Sequence, residues 1–559
     1  MGSIFFEITI VLCLTALLAI VFRLLKQPPM LAYILTGMLI GPFAFFKIHN
    51  LDVLKNFSEL GITLLLFLLG LELQLKDLRT IGKNVIIAGG GQVFLTGALA
   101  FGASLLLGFN FLSSFYISAA LTFSSTIIVI KLLSDKKDLS SLYGRLSVGL
   151  LLVQDFFAIL LLILLSGYRP VDSPWLILQY FILILCKSVI IFTIIINLSR
   201  TILPTLIHRI ARSQETLFLF SLAWVFGISA IVSAPFIGFS IEIGGFLAGI
   251  ALANSVENFQ IAAKIRPLRD FFVIIFFVFL GIEMGVGNIS QVIVPGLLLF
   301  GFVLLIKPIV VMLIMGVLGY RKRTSFFTGI GLAQVSEFSL ILVVLGQKLG
   351  QIPENVVSLV TLVAIVSFTS STYCIMHSNK IYKKVGKFLS IFEINKGRVE
   401  SLGVEGEFFD HILLVGGRRM AQTILETLKS TSEKVVVIDF DPDTIKKLQE
   451  SGVDTIFGDI IDPEIQERAH LEKARMVVST LSDLEDNLLL MKATRHVNKK
   501  AKVIVLAYDI EEANILYNQG ADYVVLPHLA GGRQIARALK TDESDKLEEL
   551  REKDKAYLQ

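Results

Sequence analysis

Apolar residues fill the first 380 positions in runs of about 20, divided by short breaks where Lys, Arg, Pro and polar clusters gather. Splitting the chain at those breaks predicts thirteen membrane-length helices, near 4–23, 29–46, 56–75, 85–107, 112–134, 142–167, 174–198, 215–233, 237–255, 269–287, 292–319, 325–347 and 356–378. Only Ser233-Ala234-Pro235 separates the eighth from the ninth. From His411 onward the pattern changes. Short β-rich runs at 412–415, 435–439, 455–457, 476–479, 503–506 and 523–526 alternate with helical stretches. Strands alternating with helices predict a doubly wound parallel sheet.

The expected fold class is therefore an all-α polytopic membrane domain followed by an α/β Rossmann-like domain. The expected divisions are 1–380 in the membrane, 381–407 as a basic linker, 408–540 as the α/β domain and 541–559 as a charged tail, solvated as helix or disordered. Composition agrees with this division. The 559 residues are 54% hydrophobic and 18% charged, with 42 Phe, and the mean hydropathy is +0.73. The net charge of +4 gives no reason to expect nucleic acid as a partner. Cys13, Cys186 and Cys374 lie far apart in apolar segments and read as reduced thiols packed among helices. The first apolar run has no basic leader and no small-residue cleavage site, so it reads as a mature helix.

Basic residues in alternate loops set the orientation. One set of loops carries Arg23 and Lys26; Lys76, Arg79 and Lys83; Lys136, Lys137 and Arg145; Arg200, Arg209 and Arg212; Lys264, Arg266 and Arg269; and Arg321, Lys322 and Arg323. The other set carries only Lys47 and Lys55, Arg169 and Lys348. This bias places the N-terminus outside and the C-terminal domain in the cytoplasm of a multi-pass protein of the cell membrane.

Several polar groups interrupt the apolar runs. Asp155 follows Gln154 in the middle of the sixth expected span, where a carboxylate needs a partner or a task. The fifth span is broken by Thr122-Phe123-Ser124-Ser125-Thr126 and the twelfth by Gln334-Val335-Ser336-Glu337. Two such clusters, one in each half of the chain, suggest inverted repeats with discontinuous helices. Thr126 precedes Asp155 by 29 positions, and Lys307 precedes Glu337 by 30, with the order of break and charge reversed. Lys307 at mid-span reads as compensating negative charge or helix-end dipoles near an ion site. Glu337 either balances a half-helix end or ligates the ion. Glu72 and Glu242 fall nearer span ends and read as interfacial; Lys187 is left open between a snorkelling and a buried role. The ion ligands expected are Ser124, Ser125, Thr126, Gln154 and Asp155.

In the α/β domain the first strand runs into Gly416-Gly417-Arg418-Arg419-Met420-Ala421, and Asp439 ends the second strand where a ribose-binding acid belongs. Arg418 replaces the middle glycine of G-x-G-x-x-G, which obstructs close approach of a pyrophosphate. Either a mononucleotide binds, with Arg418 or Arg419 meeting its phosphate, or the pocket is vestigial. No catalytic constellation follows, and the seven histidines make no zinc set, so neither an enzyme nor a transition-metal site is expected.

These residues resemble a known family. Leu31-Ala32-Tyr33-Ile34-Leu35-Thr36-Gly37-Met38-Leu39-Ile40-Gly41-Pro42, Leu64-Leu65-Leu66-Phe67-Leu68-Leu69-Gly70-Leu71-Glu72, Gly244-Gly245-Phe246-Leu247-Ala248-Gly249 and Phe276-Phe277-Val278-Phe279-Leu280-Gly281-Ile282 are similar to segments of the monovalent cation:proton antiporter-2 family. Ser124-Ser125-Thr126 and Gln154-Asp155 fit the same template in order. The resemblance implies an elevator-type antiporter, usually a homodimer. In it a core with crossed broken helices moves, and the aspartate of the sixth span binds a cation and a proton in turn. Gln-Asp at 154–155 is similar to the Kef-type glutathione-gated potassium efflux systems, which favours K+ over Na+. The C-terminal part resembles the RCK, or TrkA-N, regulatory domain through Gly458-Asp459, Asp486-Asn487 and Gly520-Ala521-Asp522-Tyr523-Val524-Val525. That resemblance implies a dimeric, ligand-responsive gate holding AMP or NAD(H), with Gly416, Gly417, Asp439 and Asp459 at the site.

One carboxylate beside an amide trades one proton for one monovalent cation, so with Lys307 keeping its proton through the cycle the exchange is expected to be electroneutral. The expected partners are K+ or Na+, H+, membrane lipid, and a regulatory ligand or accessory subunit. The alternatives are a Na+/H+ antiporter of the same fold, a ligand-gated potassium channel, and a membrane-tethered NAD enzyme, which would need neither Asp155 nor broken helices. The channel is disfavoured because no Thr-Val-Gly-Tyr-Gly filter run occurs and the spans are too many.

Overall fold

The computed structural model describes residues 4–540 apart from 42–48, 73–82, 137, 167–186, 188–189, 192, 196, 202, 211–212, 235–236, 254, 256, 285–288, 395–407, 418, 431–432, 440–441, 462 and 482. The expected span 174–198, Cys186, Arg418 and the tail 541–559 lie wholly or largely outside the described residues. The chain divides into two units, one of Met1–Leu132, Arg145–Met315 and Ser325–Phe392, the other of Leu133–Gly144, Gly316–Thr324 and Glu393–Gln559.

The first unit is helical. It begins with α1 (Ile4–Leu24), α2 (Pro29–Ile40), α3 (Leu51–Glu72), α4 (Lys83–Leu106), α5 (Phe111–Thr122) and α6 (Thr126–Asp135). There follow α7 (Leu142–Ser166), α8 (Leu203–Ile210), α9 (Gln214–Val232), α10 (Ile241–Leu252), α11 (Asn258–Ile282) and α12 (Ile289–Gly301). A π-helical segment, Phe302–Ile306, joins α12 to α13 (Lys307–Val317). The unit closes with α14 (Lys322–Gly331), α15 (Glu337–Lys348), α16 (Glu354–Met376) and α17 (Ser378–Val385). Among the described residues, 8 helices are long and apolar enough to cross a membrane.

Two expected spans are broken in their middles, between α5 and α6 at Phe123-Ser124-Ser125 and between α14 and α15 at 332–336. The π segment has a local cause as well. Pro308 has no N–H and would press on the carbonyl four residues back, and an i→i+5 stretch with Lys307 N–H bonded to Phe302 O absorbs that conflict.

Helices α2, α3, α9, α10 and α11 pack together as one group. Glycines set its closest crossings. A Cβ on Gly281 would stand 2.2 Å from the Ile34 carbonyl oxygen, and one on Gly70 would stand 2.3 Å from that of Phe246. Backbone therefore lies on backbone in the manner of small-residue membrane interfaces. Helices α5, α15 and α16 form a second group around Tyr116, Leu340, Val360 and Phe368.

Four expectations need correction. α11 starts at Asn258, not near 269, and carries Lys264, Arg266 and Arg269 on a helix with Pro267 inside it; charge marks where apolar surface ends, not where the helix does. The stretch expected as a linker from 381 is helical in α17 and in the 3-10 turn Phe388–Phe392. Cys13 is exposed on α1 instead of being packed among helices. Glu242 is buried, with Lys348 of α15 standing 3.6 Å from its carboxylate.

The second unit holds a six-stranded parallel sheet in the order β3-β2-β1-β4-β5-β6. Its strands are β1 (Ile412–Val415), β2 (Val435–Asp439), β3 (Asp454–Phe457), β4 (Met476–Ser479), β5 (Lys502–Leu506) and β6 (Tyr523–Val525). The interleaved helices are α18 (Arg419–Ser430), α19 (Pro442–Glu450), α20 (Pro463–Arg468), α21 (Leu484–Val497), α22 (Ile510–Asn518) and α23 (Pro527–Lys540). β1 and β2 are buried along nearly their whole length, as a sheet covered on both faces requires. The strand order reverses between β1 and β4, which is where this topology opens a ligand crevice.

Candidate functional site

The two breaks come together in the first unit. Ser124 donates its hydroxyl to the Leu332 carbonyl at 2.9 Å, and the Gln334 amide reaches the Ser125 carbonyl at 3.3 Å. The carbonyls of Phe123 and Gln334, left without helical partners by the breaks, both accept from Lys307 Nζ, at 2.9 and 2.7 Å. Lys307 is fully buried and serves the unpaired carbonyls at both breaks. Ser371 donates to the Gln334 side-chain oxygen, and Ser367 receives the Val335 N–H at 3.3 Å.

Asp155 lies on α7 beside this crossing and is 4% exposed. Its Oδ2 accepts from the Thr126 hydroxyl at 2.8 Å, at the first residue of α6. Its Oδ1 is buried with no hydrogen-bond partner among the described residues. Glu337 opens α15, is 2% exposed, and leaves Oε2 equally unpartnered. The charge of Glu337 reaches Asp155, and the Glu337 carboxylate is hydrogen-bonded by Ser125.

Gln154 is engaged at both ends. Its Oε1 accepts the Ser124 N–H at 2.8 Å, and its Nε2 donates to Gln92 Oε1 at 2.7 Å. Gln92 in turn donates to Thr96 and to the Thr122 carbonyl at the end of α5. Sequence reasoning missed Gln92, Ser367 and Ser371. Gln92 had a visible signal, an amide inside an apolar run after three glycines. Its approach to Gln154 depends on Gly89, where a Cβ would stand 2.7 Å from Val153. The structure thus brings Ser124, Ser125, Thr126, Gln154, Asp155, Lys307 and Glu337 to one crossing. Lys187 lies apart from it and donates to the Ile237 carbonyl at 3.1 Å. Glu72 ends α3, and nothing further is described of its side chain.

In the second unit, Gly416 takes φ +88 at the end of β1, a conformation suited to glycine. The Gly417 N–H donates to Asp439 Oδ2 at 2.6 Å, tying the loop to the end of β2. Arg419 begins α18, so the turn leads to the N-terminus of a helix of 12 residues, a natural seat for a phosphate. Asp459 follows β3, but its carboxylate is occupied by Arg323 at 2.7 Å and by the Ile461 N–H at 3.0 Å. These observed partners of Asp459 are structural. Asn487 is structural as well, bonding Ser479, Leu481 and Leu506 at the ends of β4 and β5.

Close to Asp459, the carboxyl oxygens of Asp138, Asp483 and Asp486 lie within 4.8 Å of one another. Lys136 pairs with Asp138 at 2.9 Å, and Tyr143 donates to it. Burial, followed by the charges of Asp459, Asp483 and Asp138, pushes the Asp486 carboxyl up to about 8, against the opposing pull of Arg323. A carboxyl whose folded value is raised holds its proton between the unfolded and folded values, and the stability this gives is lost as pH rises through the folded value. Thermal unfolding of the full chain should therefore show the C-terminal unit losing stability progressively between about pH 4 and 8, and Asp486→Asn should flatten that loss. An unchanged slope in Asp486→Asn would contradict the assignment.

Broken helices crossing around buried carboxylates, followed by a parallel-sheet domain, define a membrane ion exchanger with a soluble regulatory module. Residues 10–375 match the family described as sodium/hydrogen exchanger, transmembrane, and residues 412–527 match the TrkA-N domain. The chain belongs to the sodium/hydrogen exchanger family, within the branch of cation:proton antiporters that includes the Kef systems. It is 27% identical to the putative cation/proton antiporter YbaL of Escherichia coli (strain K12), over 94% of this chain and 95% of that one. It is 25% identical to the glutathione-regulated potassium-efflux system protein KefC of Salmonella schwarzengrund (strain CVM19633), over 91% and 81%. The solved sodium proton antiporter MjNhaP1 of Methanocaldococcus jannaschii is 16% identical, covers 70% of this chain and 98% of its own, and superposes with a TM-score of 0.48. The protein is an integral membrane cation/proton antiporter with a C-terminal TrkA-N regulatory domain.

Proposed function

We propose that the protein exchanges K+, in preference to Na+, for H+, and that Asp155 carries each in turn. The observation supporting this is the pair of unpartnered oxygens, Asp155 Oδ1 and Glu337 Oε2, buried at the crossing of the two breaks. Buried carboxyl oxygens without a donor are costly unless a proton or a cation answers them. Thr126 hydroxyl and Ser125 complete the oxygen set for a monovalent ion. Gln154 has both ends engaged, so it holds the α5–α6 break in place and adds no charge. The preference for K+ draws on the Gln154-Asp155 pair and on the KefB and KefC relatives, whose names describe K+ efflux.

With Asp155 as the single acid that titrates in the cycle, one cation crosses for one proton and no net charge moves. The motion is an elevator. The group α2, α3, α9, α10 and α11, locked by glycine crossings, is the fixed body and the homodimer face, and α5, α6, α14 and α15 move with the ion. The N-terminus lies outside, in keeping with the Lys and Arg distribution.

The Gly416–Gly417 turn, the start of α18 and Asp439 fit the phosphate and ribose of a mononucleotide, AMP or the AMP half of NAD(H). Bound there, the nucleotide supplies a negative charge and a ribose diol, and its presence sets the exchange rate.

Reconstituted into liposomes and given K+, Na+ or Li+ gradients, the protein should acidify or alkalinise the lumen fastest with K+, with no current on a solid-supported membrane. Faster exchange with Na+ would move the assignment to the sodium alternative. A sustained current would make Glu337 a second titrating acid, the reading its own unpartnered oxygen favours.

A further inference from the structure

A charged cavity of about 280 Å³ opens among the ends of α3, α10, α11 and α15. Lys55 and Glu59 of α3, Ser240 and Glu242 at the start of α10, Glu283 after α11 and Lys348 at the end of α15 line it. Its depth reaches Leu162 and Ile341. Leu162 stands two turns beyond Asp155 on α7, about 10 Å along the helix axis, and Ile341 stands one turn beyond Glu337 on α15. The cavity therefore approaches the buried carboxyl pair along the two helices that carry it.

Three carboxylates face two ammonium groups in this space, which leaves one negative charge in excess. Lys348 Nζ lies 2.7 Å from Glu59 Oε1 and 3.6 Å from Glu242 Oε1. The Glu242 side chain is only 7% exposed, and its Oε2 is buried with no hydrogen-bond partner among the described residues. The Ser240 hydroxyl is in the same condition. Ser240 occupies the N-cap position of α10 yet makes no side-chain capping bond, so its oxygen is not spent on the helix. Two unanswered oxygens thus border one cavity with surplus negative charge, and an ammonium already sits against the second oxygen of the same carboxylate. Lys348 and Glu59 are 40% and 27% exposed. An ion pair that wet is weak and exchangeable.

We propose that this cavity is a second binding site for a monovalent cation, ligated by Glu242 Oε2, the Ser240 hydroxyl and the Glu59 carboxylate, with Lys348 as a tethered cation competing for the same oxygens. The single excess charge and the two nearby ammonium groups favour a monovalent over a divalent ion. The site's use as the outer waiting position for the transported ion rests on the exchange reading above. Its occupancy does not.

The test removes the transport site first. In full-length Asp155→Asn protein, K+ replacing N-methylglucamine at constant ionic strength should raise the thermal midpoint in a saturable way. Adding Lys348→Gln should lower the half-saturating K+ concentration about tenfold, since the tethered competitor is gone. Adding Glu242→Gln, or Ser240→Ala should Glu242→Gln fold poorly, should weaken or abolish the saturable shift. No saturable shift in Asp155→Asn, or a shift that Glu242→Gln and Ser240→Ala both leave unchanged, overturns the proposal, and so does equal saturation by Mg2+ at a tenth of the concentration. Failure of the exchange reading appears separately, as transport that survives Asp155→Asn.

Discussion

Asp155→Asn should reduce cation-driven proton movement in proteoliposomes to the rate of empty vesicles while leaving the thermal midpoint close to that of the parent. The substitution keeps shape and volume. Thr126 can still donate its hydroxyl to the amide oxygen that replaces Oδ2, so the contact between α6 and α7 survives. What disappears is the group that takes up a proton on one side and balances a cation on the other. An amide does neither at any working pH. Glu337→Gln separates the roles of the two carboxyls: a slowed but proton-coupled exchange would keep it as a neighbour of the ion, and a complete loss would make it an equal partner.

Lys307→Met should be the most destabilising single change in the membrane part. The parent ammonium joins the Phe123 and Gln334 carbonyls, each at the end of a broken helix and away from water. Methionine fills much of the space and serves neither carbonyl. Leaving a buried acceptor unmade costs about 1–3 kcal/mol, so the two together come to about 2–6 kcal/mol. Thermal unfolding in detergent should register a large fall in midpoint, with exchange lost as the breaks relax. A midpoint near the parent's would mean that the two breaks hold each other without the lysine, through Ser124–Leu332 and Gln334–Ser125 alone.

Much of this molecule is legible in its sequence, for definite physical reasons. A hydroxyl or amide cluster inside an apolar run has few structural explanations, so the breaks at Phe123-Ser124-Ser125 and before Glu337 could be located by composition alone. The six strands stand out because buried parallel strands are short, continuous and β-branched. Other features depend on residues far apart in the chain. That Lys307 serves two carbonyls, 184 and 27 positions away, is a property of the crossing and not of either segment. Gln92 is a lone amide until α4 and α7 close over Gly89. Glu242 looked interfacial because it stands near the start of a span, yet its side chain is buried beside Lys348, 106 positions further along the chain. Asp138 belongs by sequence to the break between the fifth and sixth spans, and only the fold sets it beside Asp483 and Asp486.

The most direct measurement of the central claim is the count of protons released when K+ is added to the purified, weakly buffered full-length protein. An Asp155 that holds H+ and K+ in turn should release one proton for each cation bound at that site, and Asp155→Asn should release none. No proton release from the parent protein on K+ addition, or release that Asp155→Asn leaves intact, would contradict it.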